Sequence, residues 1–153
     1  MAIEIQMKHI FTMSLETGTP QPVGVTPGGR RLVVPILGGI FEGDRLKGTV
    51  EAGGSDWIGV RGDGAFTLDV RLVLKTHDDA LIGMTYRGLR HGPADVIAKL
   101  GRGEAVPASE YYFRAAMFFE TASETYGWLN RIVAVGTGER LPTGPVYKVF
   151  EVL

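Results

Sequence analysis

Phe66-Thr67-Leu68-Asp69-Val70-Arg71-Leu72-Val73-Leu74-Lys75 alternates along its length. The even positions from Leu68 to Leu74 are aliphatic, and two of the odd ones are Asp69 and Arg71. Side chains of a strand point to opposite faces in turn, so this is a strand with one apolar face. A second breaker-poor run, Leu81–Arg90, follows the turn-forming Thr76–Ala80, which contains His77-Asp78-Asp79. Together they predict two long antiparallel strands. Further strands are expected at His9–Glu16, Arg31–Leu37, Arg45–Glu51, Trp57–Arg61, Tyr111–Thr121, Trp128–Gly136 and Val146–Val152. Gly53-Gly54 and Asp63-Gly64 supply tight turns, because glycine takes positive φ without steric cost. Short β-type runs separated by regular turn signals point to an all-β sandwich or barrel.

Two segments depart from that rhythm. Pro93–Leu100 contains good helix formers, with Val96, Ile97 and Leu100 at helical spacing; Pro93 suits a first turn and Gly101 a stop. One short helix is predicted there, with another helical turn at Ser123–Tyr126. Thr17–Gly29 carries three prolines and four glycines, and reads as a long loop suited to a lid.

The 153 residues amount to one domain's worth, with 44% hydrophobic and 22% charged residues, which excludes a disordered chain. The net charge of -1 provides no field to hold a polyanion, so nucleic acid is not an expected partner. Cysteine is absent, which excludes disulfides, thiol catalysis and the usual structural zinc ligands. The N-terminus lacks the features of a signal peptide, and no stretch reaches the ~20 apolar residues of a membrane helix. A cytoplasmic location without membrane association is the expectation.

Familiar catalytic signatures are missing. Gly38-Gly39-Ile40-Phe41-Glu42-Gly43-Asp44 has the glycine spacing of a phosphate loop but an Asp where Lys is required. Gly136-Thr137-Gly138 does not continue as a dinucleotide fingerprint. His9, His77 and His91 have no metal-ligand spacing, and there is no Gly-x-Ser-x-Gly elbow. No cofactor and no metal are expected.

The polar residues set among apolar strand positions are the more informative ones. Tyr111–Thr121 is largely apolar on both faces, with Arg114 and Glu120 on the even face beside Tyr112 and Phe118. If both faces are covered, these charges need partners, either each other in a core network or a ligand in a cavity. Asp69 and Arg71 lie about 7 Å apart on one face, as a solvated pair or as pocket groups. In Trp128-Leu129-Asn130-Arg131 an aromatic wall shares a face with an amide, an arrangement that orients oxygenated ligands. Asp56-Trp57 stands at a strand start, where either a turn or a pocket mouth is found.

The runs Pro35–Gly43, Gly53-Gly54-Ser55-Asp56-Trp57, Leu68-Asp69-Val70-Arg71, Tyr112-Phe113-Arg114, Phe119-Glu120-Thr121 and Trp128–Arg131, in that order, resemble the bacterial DUF3237 (UPF0311) family. The resemblance extends from about Phe11 to Val152. It implies an antiparallel lipocalin-like (calycin-type) β-barrel with an internal pocket, in a family whose function is generally unassigned. Leu72 and Val73 stand where the family often has an aromatic residue, which implies a more aliphatic pocket wall.

The expected site therefore has Glu120 and Asp56 as acid or base, with Arg71 and Arg114 stabilising negative charge. Trp57, Asp69, Tyr112, Phe118, Trp128 and Asn130 would contact a small, partly apolar, oxygenated molecule. Lyase, isomerase, cyclase or hydrolase chemistry would suit such a pocket. A non-catalytic carrier or sensor, and a structural protein whose buried charges only fix register, stay open beside it. The apolar outer positions of Tyr111–Thr121 suggest a homodimer.

Overall fold

The computed structural model describes residues 2–153. Ten strands form one antiparallel sheet: β1 (Met7–Thr17), β2 (Gln21–Thr26), β3 (Gly29–Glu42), β4 (Lys47–Val50), β5 (Gly54–Val60), β6 (Phe66–Thr76), β7 (Leu81–His91), β8 (Tyr112–Glu120), β9 (Ala134–Leu141) and β10 (Gly144–Val152). They fill eight positions of a closed barrel. Two positions are each shared by a broken pair. β3 is flanked on one side by β1 and then β2, and on the other by β4 and then β5. From β6 the sheet runs through β7, β8, β9 and β10 to β1. The pairing of Thr12–Thr17 with residues 36–42 of β3 closes the ring.

The two alternating strands read from Phe66–Arg90 are present in full register, from Phe66 opposite Arg90 to Lys75 opposite Leu81. The single α-helix among the described residues, α1 (Ala94–Gly101), buries Val96 and Leu100. The expected all-β barrel with one short helix is thus the observed fold. Three local expectations are corrected. The supposed lid at Thr17–Gly29 is mostly strand: β2 turns back on β3 with Thr26 opposite Gly29. Its prolines are tolerated because β2 pairs only with β3, leaving an edge on which a missing N–H costs nothing. Trp128–Gly136 is not one strand. Gly127–Arg131 is a 3-10 turn that buries Leu129, and β9 starts at Ala134 and runs on to Leu141. The second helical turn therefore follows Ser123–Tyr126 instead of occupying it. The run Gly38–Asp44, with the glycine spacing of a phosphate loop, lies largely within β3, directly after a bulge whose extra residue is Leu37. Glu16 faces Gly38 but Thr17 faces Ile36, and Gly39 takes φ 152°. The extra residue switches the inward phase from even (Ile36) to odd (Phe41).

The barrel interior is unequal along its axis. At one end Phe11 packs edge-on against Phe41 and Phe119, at 5.4 and 6.0 Å between ring centres. Met13, Leu74, Ile82, Met84, Met117 and Val149 fill the space around them. Arg45 lies over the Trp128 ring at 3.6 Å. The other end is hollow.

The phase of β8 decides which of its aromatic residues hold the fold. Phe11→Ala should lower the unfolding free energy by about 3–5 kcal/mol, as other large-to-small changes in a filled core do. Phe118→Ala, at an outward position 52% exposed, should change it by less than about 1 kcal/mol. Urea denaturation of both variants checks this, and equal losses would contradict the assigned phase.

Candidate functional site

The hollow end encloses a cavity of about 340 Å³. Its walls are the inward positions of strands from around the barrel, together with Leu100 and Gly101 at the end of α1. Leu32, Val34 and Ile36 of β3, Ile58 of β5 and Leu68 of β6 make much of the surface aliphatic. Tyr86 and Tyr147 lie between the cavity and the filled core. Along β7 the inward sequence is Met84, Tyr86, Gly88 and Arg90; along β10 it is Pro145, Tyr147 and Val149. The two phenol rings meet edge-on at 5.1 Å, and Phe113 packs against Tyr147 at 5.3 Å.

Asp56 supplies the one carboxylate of the cavity wall among the described residues. Its position follows from a gap in the sheet. β5 and β6 pair at Asp56–Val70 and again at Gly59–Thr67, in the same register, with no pairing between. The Asp69 N–H at this gap donates to Asp56 Oδ1 at 3.2 Å, which holds the carboxyl group in place. Burial pushes its pKa up to about 7, against the lowering effects of that hydrogen bond and of the Arg90 charge.

Arg90 and Arg140 provide the positive charge. Register places Arg90 on the inner face between Phe66 and Phe113. Its guanidinium lies over their rings, 4.7 and 5.7 Å from the two centres. Burial first, and then the neighbouring Arg140 charge, disfavour the charged form, but a guanidinium stays protonated in water-accessible pH ranges. Arg90 Nε is buried without a hydrogen-bond partner among the described residues. Arg140 sits at the end of β9, where its backbone N–H donates to Tyr111 Oη at 2.7 Å. Arg30 adds an exposed charge on the cavity wall. Burial raises the pKa of both Tyr86 and Tyr147, so both phenols keep their protons. Their rings lie against each other, and Tyr86 Oη is buried without a hydrogen-bond partner among the described residues.

Of the residues singled out from the sequence, Asp56 alone lines this cavity. Trp57, its neighbour, points outward and is 50% exposed. Asp69 and Arg71 are on the solvent face of β6. Tyr112, Arg114, Phe118 and Glu120 occupy the outward phase of β8, whose buried positions are Phe113, Ala115, Met117 and Phe119. Arg114 and Tyr112 border one outer groove, and Arg71 and Glu120 another. Trp128 is at the filled end under Arg45. The Asn130 side chain accepts from the Thr121 N–H at 2.7 Å and donates to the Thr121 carbonyl at 2.9 Å, a clasp between the 3-10 turn and the end of β8. The expectation that both faces of β8 are covered, with Arg114 and Glu120 buried, is corrected. The barrel covers only the odd face, and water solvates the charges on the even face.

Sequence reasoning missed Arg90, Arg140, Tyr86 and Tyr147. A signal existed for Arg90: it is in phase with the apolar face of Leu81–Arg90, on which Ile82, Met84 and Tyr86 lie. A charge that ends an inward-facing row marks a cavity wall more directly than one on a mixed face.

The family model for DUF3237, a protein of unknown function, matches residues 5–152. A UPF0311 protein of Rhodopseudomonas palustris is 32% identical over 149 residues, covering 97% of each chain. A solved structure from that organism superposes with a TM-score of 0.93, at 32% identity and full coverage of both chains. A β-barrel-like protein of Acinetobacter baumannii gives a TM-score of 0.87 at 36% identity, over 99% of this chain and 98% of the other. A more distant homologue, 26% identical over 136 residues and covering 88% of this chain and 75% of its own, is the hydroalkoxylation enzyme phnH of Penicillium herquei. With a match along nearly its whole length, the chain belongs to the DUF3237 (UPF0311) family of barrel proteins.

Proposed function

We propose that the protein is an acid–base enzyme acting on a small, partly apolar, oxygenated metabolite. Its reaction moves an O–H across a carbon–carbon double bond within that molecule. The observation that carries this reading is the convergence of the Asp56 carboxyl group, the guanidiniums of Arg90 and Arg140 and the phenols of Tyr86 and Tyr147 in one cavity with a largely aliphatic wall, at whose exposed side Arg30 also lies. The hydroalkoxylation activity of the fungal homologue supports the reaction class.

The step is redox-neutral and releases no fragment. The hydroxyl oxygen forms a bond to one alkene carbon, and its proton ends on the other. Asp56 carries that proton, because a carboxyl group that titrates near 7 both accepts and donates at neutral pH. When the alkene is conjugated to a carbonyl, the electron pair passes to the carbonyl oxygen while the new bond forms. Arg90 and Arg140 stabilise that oxygen, and the protonated phenols of Tyr86 and Tyr147 donate to it. The aliphatic wall holds the reacting ends together.

Candidate hydroxy-enones incubated in deuterated water should give the cyclic ether with deuterium on the carbon next to the carbonyl, followed by NMR. Asp56→Asn should lower kcat by about 10²–10⁴-fold while ligand still binds. Full turnover by D56N sinks the reading, and ligand recovered unchanged from the wild-type protein favours a carrier.

The protonation of Asp56 can also be observed without substrate. Its folded-state pKa, about 7, lies above the 3.8 of an ordinary aspartate. Between these values the native protein holds a proton that the unfolded chain releases, so stability falls as pH rises through the window and levels off above it. The full shift corresponds to roughly 4 kcal/mol. D56N cannot ionise there, so its melting temperature should gain on that of wild type between about pH 4 and pH 8. A difference that stays flat with pH would show that Asp56 titrates normally.

A further inference from the structure

We infer that the cavity takes its substrate as an anion, with a carboxylate or ionised phenol or enol oxygen seated between Arg90 and Arg140. The inference rests on the acid–base reading of the same cavity and specifies the charge of what enters it. Its basis is an imbalance of charge. Three guanidiniums, those of Arg30, Arg90 and Arg140, share the wall with one carboxyl group. No carboxylate oxygen among the described residues lies within 4.0 Å of Arg90 or Arg140. The ion pairs that do form, such as Arg61–Asp63 and Arg102–Glu104, involve exposed side chains.

A buried guanidinium without a counter-charge is costly, and a second one beside it adds repulsion. The fold nevertheless fixes both. Arg90 is wedged between Phe66 and Phe113 by the register of three strands, and Arg140 is tied at its backbone to Tyr111. The aromatic faces partly offset the desolvation of Arg90 but accept no N–H in the plane of the guanidinium. Its Nε–H is left with no acceptor among the described residues. A planar oxyanion satisfies such a fork, and a neutral amide of the same shape does so less well. Arg30, exposed on the same wall, adds attraction for an incoming anion.

Asp56 competes for the same positive field. The groups that face it are Arg30 from β3, Tyr86 and Arg90 from β7, Arg140 from β9 and Tyr147 from β10, while the Asp69 carboxylate acts on it from the outer face of β6. When Asp56 is neutral the guanidiniums are free for the ligand. When it ionises, one charge is partly neutralised and the anion is repelled.

The test uses inert probes on the intact protein, so that binding is read apart from turnover. One arm compares benzoate with benzamide and naphthoate with naphthamide by calorimetry. The other follows 4-nitrophenol, whose visible absorbance reports ionisation, against 4-nitroanisole. At about pH 6 at least one anion should bind roughly ten- to a hundred-fold more tightly than its neutral isostere. The arm that responds identifies carboxylate or phenolate as the preferred group. Arg140→Gln should remove most of the preference and Arg140→Lys should keep part of it. If R140Q does not fold, the loss of affinity between about pH 6 and pH 8, abolished in D56N, carries the same information. No anion preferred over its isostere in either arm overturns the inference. Preference for an anion together with undiminished turnover by D56N would instead sink the acid–base reading and leave this one standing.

Discussion

The hydrogen-bonded ladder between Thr12–Thr17 of β1 and residues 36–42 of β3 joins the two ends of the sheet. Without it the β-strands would form an open, twisted surface with edges to protect. With it, every strand position has an inside, and alternation becomes a rule for the whole chain. The seam has its own local devices. Leu37 is an extra residue opposite the step from Glu16 to Thr17, and the break after Thr17 lets β2 take over beside β3 where β1 leaves off. On the other side of β3, the break between β4 and β5 does the same. β3 therefore bridges the filled and hollow ends, with Phe41 in one and Leu32, Val34 and Ile36 in the other.

Where one face of a strand is clearly more polar, the sequence reveals the inside directly. Leu68, Val70, Leu72 and Leu74 could face only the core, and the paired run Leu81–Arg90 followed from the turn between them. Tyr111–Thr121 was not legible in that way. Phe113 and Phe119 are buried while Tyr112 and Phe118 lie outside, and hydrophobicity does not distinguish the two sets. The ambiguity resolves only through the partners, since β8 must match the inward phase of β7 and β9. The assignment of Arg114 and Glu120 to a pocket depended on that unresolved phase. β2 was hidden for another reason: prolines and glycines signal a loop unless the strand is known to have a free edge. The break near Trp128 was equally hidden, because a 3-10 turn and a strand start share the same apolar residues.

Asp56 was legible for a mixed reason. The residue follows two glycines at a strand start, and the sequence offers a turn and a pocket mouth as equal readings. The structure adds the unpaired stretch between β5 and β6, in which a side chain takes the place of a backbone acceptor. Its chemistry arises from surroundings assembled over long sequence distances. Arg90 and Arg140 belong to other strands, and Tyr86 and Tyr147 are apolar members of their own rows until the barrel brings them together. Local patterns carry the phase of a side chain. They do not carry the identity of what it meets across the interior.

The unequal filling of the barrel separates two demands usually made of the same residues. Cohesion resides around Phe11, Phe41 and Phe119, while the residues that line the cavity lie towards the opposite rim. Mutational drift at that rim would re-tailor the chamber without loosening the aromatic anchor. One scaffold would thereby admit many different guests among its descendants, each lineage altering the lining and inheriting the base.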